Sequence, residues 1–407
     1  MSIYLRSTSA LKAYRHLRVT NPELLATAAR CNPSMEDAAR RVSDFRSLPD
    51  DTLDLLRQLN IGWPEDGGVR PLRPISTLAA SNALAAHNQW ASSAHWNHNI
   101  PEPLLDLGHG VFLSSPAFLL LQMTSDLGLA GLSMLALEMC GTFQLGEQRP
   151  GTRITTTGVE TTSCQRGLMP LTSVAELDEQ LGELGSVRGV AMIREVLPHV
   201  VDGVGSALEA QALLLACLPR NRGGYGLPLP VACPEIELDG ADCQVALSPS
   251  FYWPEARVAV FVEDGGGWQE DPKEQATDKT AARRQPVHVS TNGAVATAQL
   301  SARQIEDPLL FDEFVEGLAL MLGHGESLRE IHSGLTRQRL RGSLMSPAES
   351  LRRGILLREG SRRTARTAAF SPWGVPPYEE PRVEVPLDAY SVDAYAAYDR
   401  WGWDSLV

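Results

Sequence analysis

Lysine is scarce in this 407-residue sequence: Lys12, Lys273 and Lys279 are its only lysines, and arginine supplies the remaining strong cations. Arginine binds phosphate and carboxylate groups through paired hydrogen bonds, but a skewed genomic base composition explains the same preference. The net charge is −13, so the chain as a whole does not attract nucleic acid. Any such contact therefore requires a local basic patch.

Closely spaced cysteines and long apolar runs are also missing. The six cysteines include no CxxC pair, which argues against a zinc site or a disulfide framework and favours buried, reduced thiols. Apolar runs such as 117–123 and 210–218 are far shorter than the roughly 20 residues that span a membrane. With no basic and apolar N-terminal leader, we expect a cytoplasmic chain without a membrane partner.

Motifs for several other chemistries are absent. The sequence contains no Gly-x-Ser-x-Gly, no Walker A motif and no Gly-x-Gly-x-x-Gly after a strand, which argues against a serine hydrolase and a nucleotide-binding loop. His95 and His98 are close in sequence, but the asparagines and the proline around them indicate a surface loop. We therefore expect no histidine metal site there.

The pattern of apolar residues and turns divides the chain into four regions. Residues 1–74 read as short helices, and 75–204 as a mixed region with two short strands in 104–113 and helices at 117–127, 129–140, 174–184 and 189–200. Residues 205–323 alternate between helices and strands, including one strand at 251–263, a helix at 272–284 and a strand at 287–291, which predicts an α/β domain with a mixed sheet. Residues 324–407 are first arginine-rich and then acidic and aromatic, which is typical of a largely disordered tail.

The order of elements in 205–323 carries a resemblance. An apolar helix with one acid, Glu209, is followed by a Gly/Pro-rich turn at 222–230 and a strand-like run at 250–264 containing Tyr-Trp-Pro-Glu. This order resembles a very-short-patch-repair-like endonuclease of the PD-(D/E)XK superfamily. Together with short motifs such as those at 110–116 and 140–143, it is similar to an uncharacterised actinobacterial family. In that family an AbiEi-like N-terminal region precedes the nuclease-like domain.

The resemblance implies a fold and a metal-dependent site. The expected fold is α/β (α+β overall), with a restriction-endonuclease-like mixed sheet flanked by helices, preceded by a mostly helical region with a small β element. Active members place a helix acid, a strand aspartate and a glutamate around Mg²⁺, which neutralises the scissile phosphate and acidifies a water. Glu209 matches the helix acid, whereas Ser250 and Phe261 stand where the two strand acids are expected. The resemblance therefore implies a degenerate catalytic site.

Three functions stay open at this point. The first is a nucleic-acid-associated protein, regulatory or defence-related, on a degenerate nuclease scaffold, with Arg257, Arg283 and Arg284 as binding residues. The second is an active Mg²⁺-dependent nuclease in which Glu209 and Glu263 bind the metal and Lys279 assists; Glu263 lies two residues beyond Phe261, on the same strand face. The third is a protein-interaction module, which binds its partner through the C-terminal tail and needs no cofactor.

Overall fold

The computed structural model describes most of the chain up to residue 345. The described residues are 1–34, 38–39, 42–59, 61, 71, 74–98, 100, 103–145, 164–182, 184, 187–239, 244–263, 295–324 and 334–345. Within these ranges the protein is a mixed α/β structure in which mixed sheets are flanked by helices. This agrees with the expected fold class at the level of architecture.

The N-terminal half is organised around a six-stranded mixed sheet. Its spatial order is β2-β5-β6-β1-β3-β4, with β1 parallel to β6 and β3 parallel to β4. Regions 1–74 and 75–204 therefore contribute strands to one sheet. The strands are β1 (Ile3–Leu5), β2 (Ala29–Cys31), β3 (Ile75–Ala79), β4 (Ala91–His95), β5 (Leu104–Asp106) and β6 (Val111–Leu113).

Helices cover this sheet and continue into the middle of the chain. They are α1 (Ser7–Thr20), α2 (Pro22–Thr27), α3 (Val42–Arg46), α4 (Asp50–Gln58), α5 (Pro116–Met123), α6 (Leu129–Cys140), α7 (Val174–Gly182) and α8 (Val190–Val196). Apolar residues of α1 at helical spacing, from Ala10 to Leu17, are buried and form the face that packs on the sheet. Helices α5 and α6 are apolar all round because every residue of α5 and most of α6 lie in the core.

The block after residue 205 begins with α9 (Ala207–Cys217) and builds a second, four-stranded sheet with the order β14-β13-β12-β9. Strands β13 and β14 are parallel and the other two pairings are antiparallel. The remaining strands form two antiparallel two-stranded sheets, β7–β8 and β10–β11. The strands are β7 (Phe143–Leu145), β8 (Cys164–Arg166), β9 (Val231–Ala232), β10 (Ile236–Asp239), β11 (Gln244–Leu247), β12 (Phe251–Trp253), β13 (Val258–Glu263) and β14 (Ala296–Ser301).

Three helices complete the described chain: α10 (Ala302–Glu306), α11 (Pro308–Met321) and α12 (Gly334–Met345). Helix α12 lies in the arginine-rich region and contacts α6 and α9, with Leu340 and Leu344 buried. The sequence did not predict this helix. One hydrophobic cluster runs from Ile3 in β1 to Leu344 in α12, so the N-terminal sheet and the block after residue 205 share a core.

The structure matches several predicted elements and differs at others. Helix α6 has the predicted bounds, and β5 and β6 are the predicted strands in 104–113, paired antiparallel. The N-terminal sheet is larger than the small β element that was expected. Strands β1 and β2, with three residues each, are too short to show a two-residue period. The predicted elements at 272–284 and 287–291 lie outside the described residues. In the described ranges, no helix combines the length and apolarity needed to cross a membrane.

Candidate functional site

Glu209 lies in the first turn of α9 and is only 8% exposed. Ser206 is the N-cap of this helix, and its hydroxyl accepts a hydrogen bond from the Glu209 N–H at 3.1 Å. The Glu209 carboxylate turns back and accepts from the Gly205 N–H through Oε2 at 2.7 Å. This arrangement resembles a capping box, in which a helix N-terminus satisfies its own backbone donors. Glu209 therefore has a structural role at the start of α9.

Ser250 connects Glu209 to the second sheet. Its hydroxyl donates to Glu209 Oε1 at 2.8 Å and accepts from the Val262 N–H of β13 at 3.1 Å. Like Glu209, Ser250 is 8% exposed, so both hydrogen bonds are shielded from water. The hydroxyl stands where the resemblance expects a metal-binding aspartate, and it uses both of its hydrogen-bonding roles within the protein.

Cys233 completes the set of donors around the carboxylate. Its thiol lies 3.7 Å from Glu209 Oε2 in hydrogen-bonding geometry, and its N–H donates to the Ser250 carbonyl at 2.9 Å. Burial of the sulfur, followed by the nearby Glu209 charge, raises the pKa of Cys233 to about 12. The thiol is therefore protonated at neutral pH and can donate. We call Gly205, Ser206, Glu209, Cys233 and Ser250 the Glu209 cluster.

The two strand positions at which acids are expected are neighbours. Phe251 pairs with Val260 in the antiparallel ladder, and one further step in that register places Ser250 beside Phe261. Phe261 packs with Ala259 and Tyr252 in a small cluster separate from the main core. Glu263 is the exposed last residue of β13, two residues further along the same face.

The Glu209 cluster does not fit a Mg²⁺ ion. Mg²⁺ takes oxygen ligands in octahedral geometry at about 2.0–2.1 Å, whereas both oxygens of Glu209 accept hydrogen bonds from protein donors. Ser250 offers a hydroxyl in place of a carboxylate, and Phe261 offers no ligand atom. Within the described part of the chain, no group of three or more histidine, cysteine, aspartate or glutamate residues is placed to hold a metal ion.

Of the other basic candidate residues, the structure describes only Arg257. Arg257 lies in the turn between β12 and β13 with a left-handed φ of 51°. Lys279, Arg283 and Arg284 lie outside the described residues, so neither the assisting lysine nor the basic pair can be placed beside Glu209.

The structure brings two residues to the site that the sequence analysis did not single out. Ser206 could have been found, since the spacing Ser206-x-x-Glu209 is the sequence signature of a capping box. Cys233 had no such signal, because it is distant in sequence and reaches Glu209 only through the pairing of β9 with β12.

Comparisons with protein-family models, with curated proteins and with solved structures found no match to this chain. The fold and the Glu209 cluster thus define a mixed α/β protein with a buried acid held by protein donors.

We expect Cys233 to resist alkylation although the residue is exposed. With a pKa of about 12, on the order of a thousandth of the thiol is ionised at pH 9, and the thiolate is the reacting form. Glu209→Gln removes the charge and should accelerate modification of Cys233 several-fold. The measurement is peptide-level mass spectrometry of iodoacetamide labelling between pH 8 and 11.

Cys31 provides an internal control, because burial and the charge of Asp106 raise its pKa independently of Glu209. An equal acceleration at both cysteines would contradict the contact between Cys233 and Glu209. The raised pKa of Cys233 also makes the free energy of unfolding depend on pH. The stabilising contribution of the protonated thiol is complete below pH 9 and is lost as the pH rises towards about 12.

Proposed function

We propose that the protein is a catalytically inactive relative of PD-(D/E)XK endonucleases that associates with nucleic acid through arginine side chains. The observation that carries this proposal is the hydrogen bond between Ser250 and Glu209 at 2.8 Å. A serine occupies the place of a metal-binding aspartate, and the remaining acid serves as an internal hydrogen-bond acceptor. A regulatory or defence-related role rests on analogy with the similar family.

The arrangement of elements supports the nuclease-like origin. Helix α9 is followed by β12 and β13, which lie within the run 250–264, and this is the order on which the resemblance rests. Strand β14 then pairs parallel to β13. Glu209 reaches the beginning of β12 through Ser250, while Ser250 and Phe261 are adjacent across the pair. An aspartate at 250 and a glutamate at 261 would therefore stand next to each other, as a two-acid metal site requires.

The proposed association is tested by fluorescence anisotropy with a labelled 30-base-pair DNA duplex, single-stranded DNA and RNA, in EDTA over a salt series. Binding that weakens as salt rises is expected, since phosphate contacts release counterions. Arg257→Gln should reduce the salt slope on duplex DNA by about 0.9. Arg46→Gln, at an exposed position in the distant helix α3, is the matched control and should leave the slope unchanged.

Absence of binding to all three nucleic acids by the folded protein would contradict the proposal. The protein would then be better described as a protein-interaction module, for which the net charge of −13 is no obstacle. Binding accompanied by metal-dependent cutting would instead favour the rearranged site of Glu209, Glu263 and Lys279.

A further inference from the structure

Helix α12 is held on the protein body by one buried arginine, Arg341, and one partly buried arginine, Arg337, as well as by leucines. The Arg337 guanidinium lies 3.9 Å from the centre of the Tyr225 ring, and that of Arg341 lies 5.1 Å from the centre of the Phe311 ring. Arg341 is only 6% exposed, and its Nη1 donates to the Ile305 carbonyl at 2.7 Å. While α12 is docked, both guanidinium groups therefore make their contacts within the protein.

The polar groups at this contact are incompletely paired. Arg341 Nε and Nη2, Arg337 Nε and the Tyr225 hydroxyl are buried and have no hydrogen-bond partner among the described residues. The Asp312 carboxylate is 3.6 Å from Arg337 Nη1, which is an ion pair without a hydrogen bond. Burying cations with unused donors is costly, so this contact stabilises the docked helix less than an apolar contact of the same size.

The docked position also depends on one close backbone approach. Gly223 has a φ of 96°, and a Cβ atom there would lie 2.6 Å from the Thr336 carbonyl oxygen and 3.0 Å from the Leu340 Cβ, both in α12. Gly226, three residues later, has a φ of 71°, and a Cβ atom there would meet nothing closer than Arg220 Cγ at 3.8 Å. The two glycines therefore share left-handed backbone, but only Gly223 touches α12.

From this geometry we propose that α12 is a detachable helix that withholds Arg337 and Arg341 from phosphate while it is docked. Undocking exposes the guanidinium groups of Arg337 and Arg341, which lie one turn apart on the same face of α12, and adds them to Arg339, which is already exposed on another side of the helix. The released Arg337 and Arg341 bind the phosphate backbone of a nucleic acid, so docking on the body and binding to phosphate compete. This inference rests on the proposed association with nucleic acid and adds its regulation.

The test compares Gly223→Ala with Gly226→Ala in the full chain. Both substitutions strain a left-handed glycine, but only the first pushes against α12. Hydrogen exchange measured by mass spectrometry is expected to show α12 amides exchanging at least tenfold faster in Gly223→Ala, with α9 amides unchanged and Gly226→Ala like wild type. If Gly223→Ala impairs folding, Leu344→Ala, which truncates a fully buried anchor on α12 itself, replaces it.

The second readout is the salt dependence of binding to the DNA duplex. In Gly223→Ala, two additional phosphate contacts should make the salt slope steeper by about 1.8. Adding Arg337→Gln and Arg341→Gln to this variant should return the slope to the wild-type value. The inference is overturned if the α12 amides exchange at the wild-type rate in both Gly223→Ala and Leu344→Ala. It is also overturned if these amides exchange faster but the salt slope of DNA binding is unchanged. If α12 is released and no variant, including wild type, binds nucleic acid, the proposed function fails as well.

Discussion

Arg18→Met is expected to lower the free energy of unfolding by about 4 kcal/mol, because it removes a buried cation with many partners. Arg18 is 4% exposed in the last turn of α1. Its guanidinium donates at 2.8–3.1 Å to the carbonyl oxygens of Glu138, Gly141, Phe143 and Met169. Methionine retains the apolar stem but leaves these four acceptors, of which those of Glu138, Gly141 and Phe143 are buried, without their donor.

Arg18→Lys should recover little of this loss, since an ammonium group cannot reproduce the planar arrangement of guanidinium donors. Burial lowers the pKa of Arg18 to about 10, so the side chain remains charged at pH 7. Urea denaturation provides the measurement.

Arg194→Met is the control, because this exposed arginine makes one long hydrogen bond of 3.4 Å to Gly182; its loss should cost less than about 0.5 kcal/mol. Similar values for Arg18→Met and Arg194→Met would contradict the structural role of Arg18.

Ser250→Asp is expected to be strongly destabilising in EDTA and to become stabilised by Mg²⁺. The new carboxylate would face Glu209 at the position from which the Ser250 hydroxyl now donates. Two like charges about 4 Å apart repel by about 4 kcal/mol at an effective dielectric constant of 20. A divalent cation between them would relieve this repulsion, and ligand binding to the folded state raises the melting temperature.

Ser250→Asn separates the charge effect from the change in size, because asparagine has the shape of aspartate without its charge. Thermal unfolding of both variants is measured in EDTA and in 10 mM Mg²⁺, which is about a thousandfold above a Kd of about 10 μM. We expect a rise in melting temperature with Mg²⁺ for Ser250→Asp alone. An equal response of both variants to Mg²⁺, or none in either, would contradict the view that Ser250 replaces a metal ligand.

The sequence predicted the fold best where elements are long or strongly patterned. Helices α6 and α9 follow from apolar runs, and the structure has both. The prediction of one strand at 251–263 is wrong, because the chain turns at 254–257 and forms the antiparallel strands β12 and β13. The N-terminal sheet was under-predicted because β1 and β2 have three residues each and are paired with strands distant in sequence. Strand pairing of this kind depends on tertiary contacts, which no local pattern encodes.

The candidate site could be predicted only in part. Glu209 was identified correctly as an acid within an apolar helix, but its engagement by Cys233 and Ser250 depends on how β9 and β12 meet α9. The arginines of the tail illustrate the opposite difficulty. By sequence, the alternating arginines at 337, 339 and 341 fit a phosphate-binding surface and a solvated or acid-paired tail equally well, whereas Arg337 and Arg341 lie over aromatic rings in the described structure. Composition alone does not distinguish a solvated arginine from one stacked in a core.

The central claim is most directly tested by incubating the wild-type protein with supercoiled, linear and single-stranded DNA and with RNA, in Mg²⁺ or Mn²⁺, beside Glu209→Gln. Our account predicts that neither protein cuts any substrate, while circular dichroism shows that both are folded. Metal-dependent cutting by the wild type that is lost in Glu209→Gln would contradict the account, because it would make the Glu209 carboxylate a catalytic group.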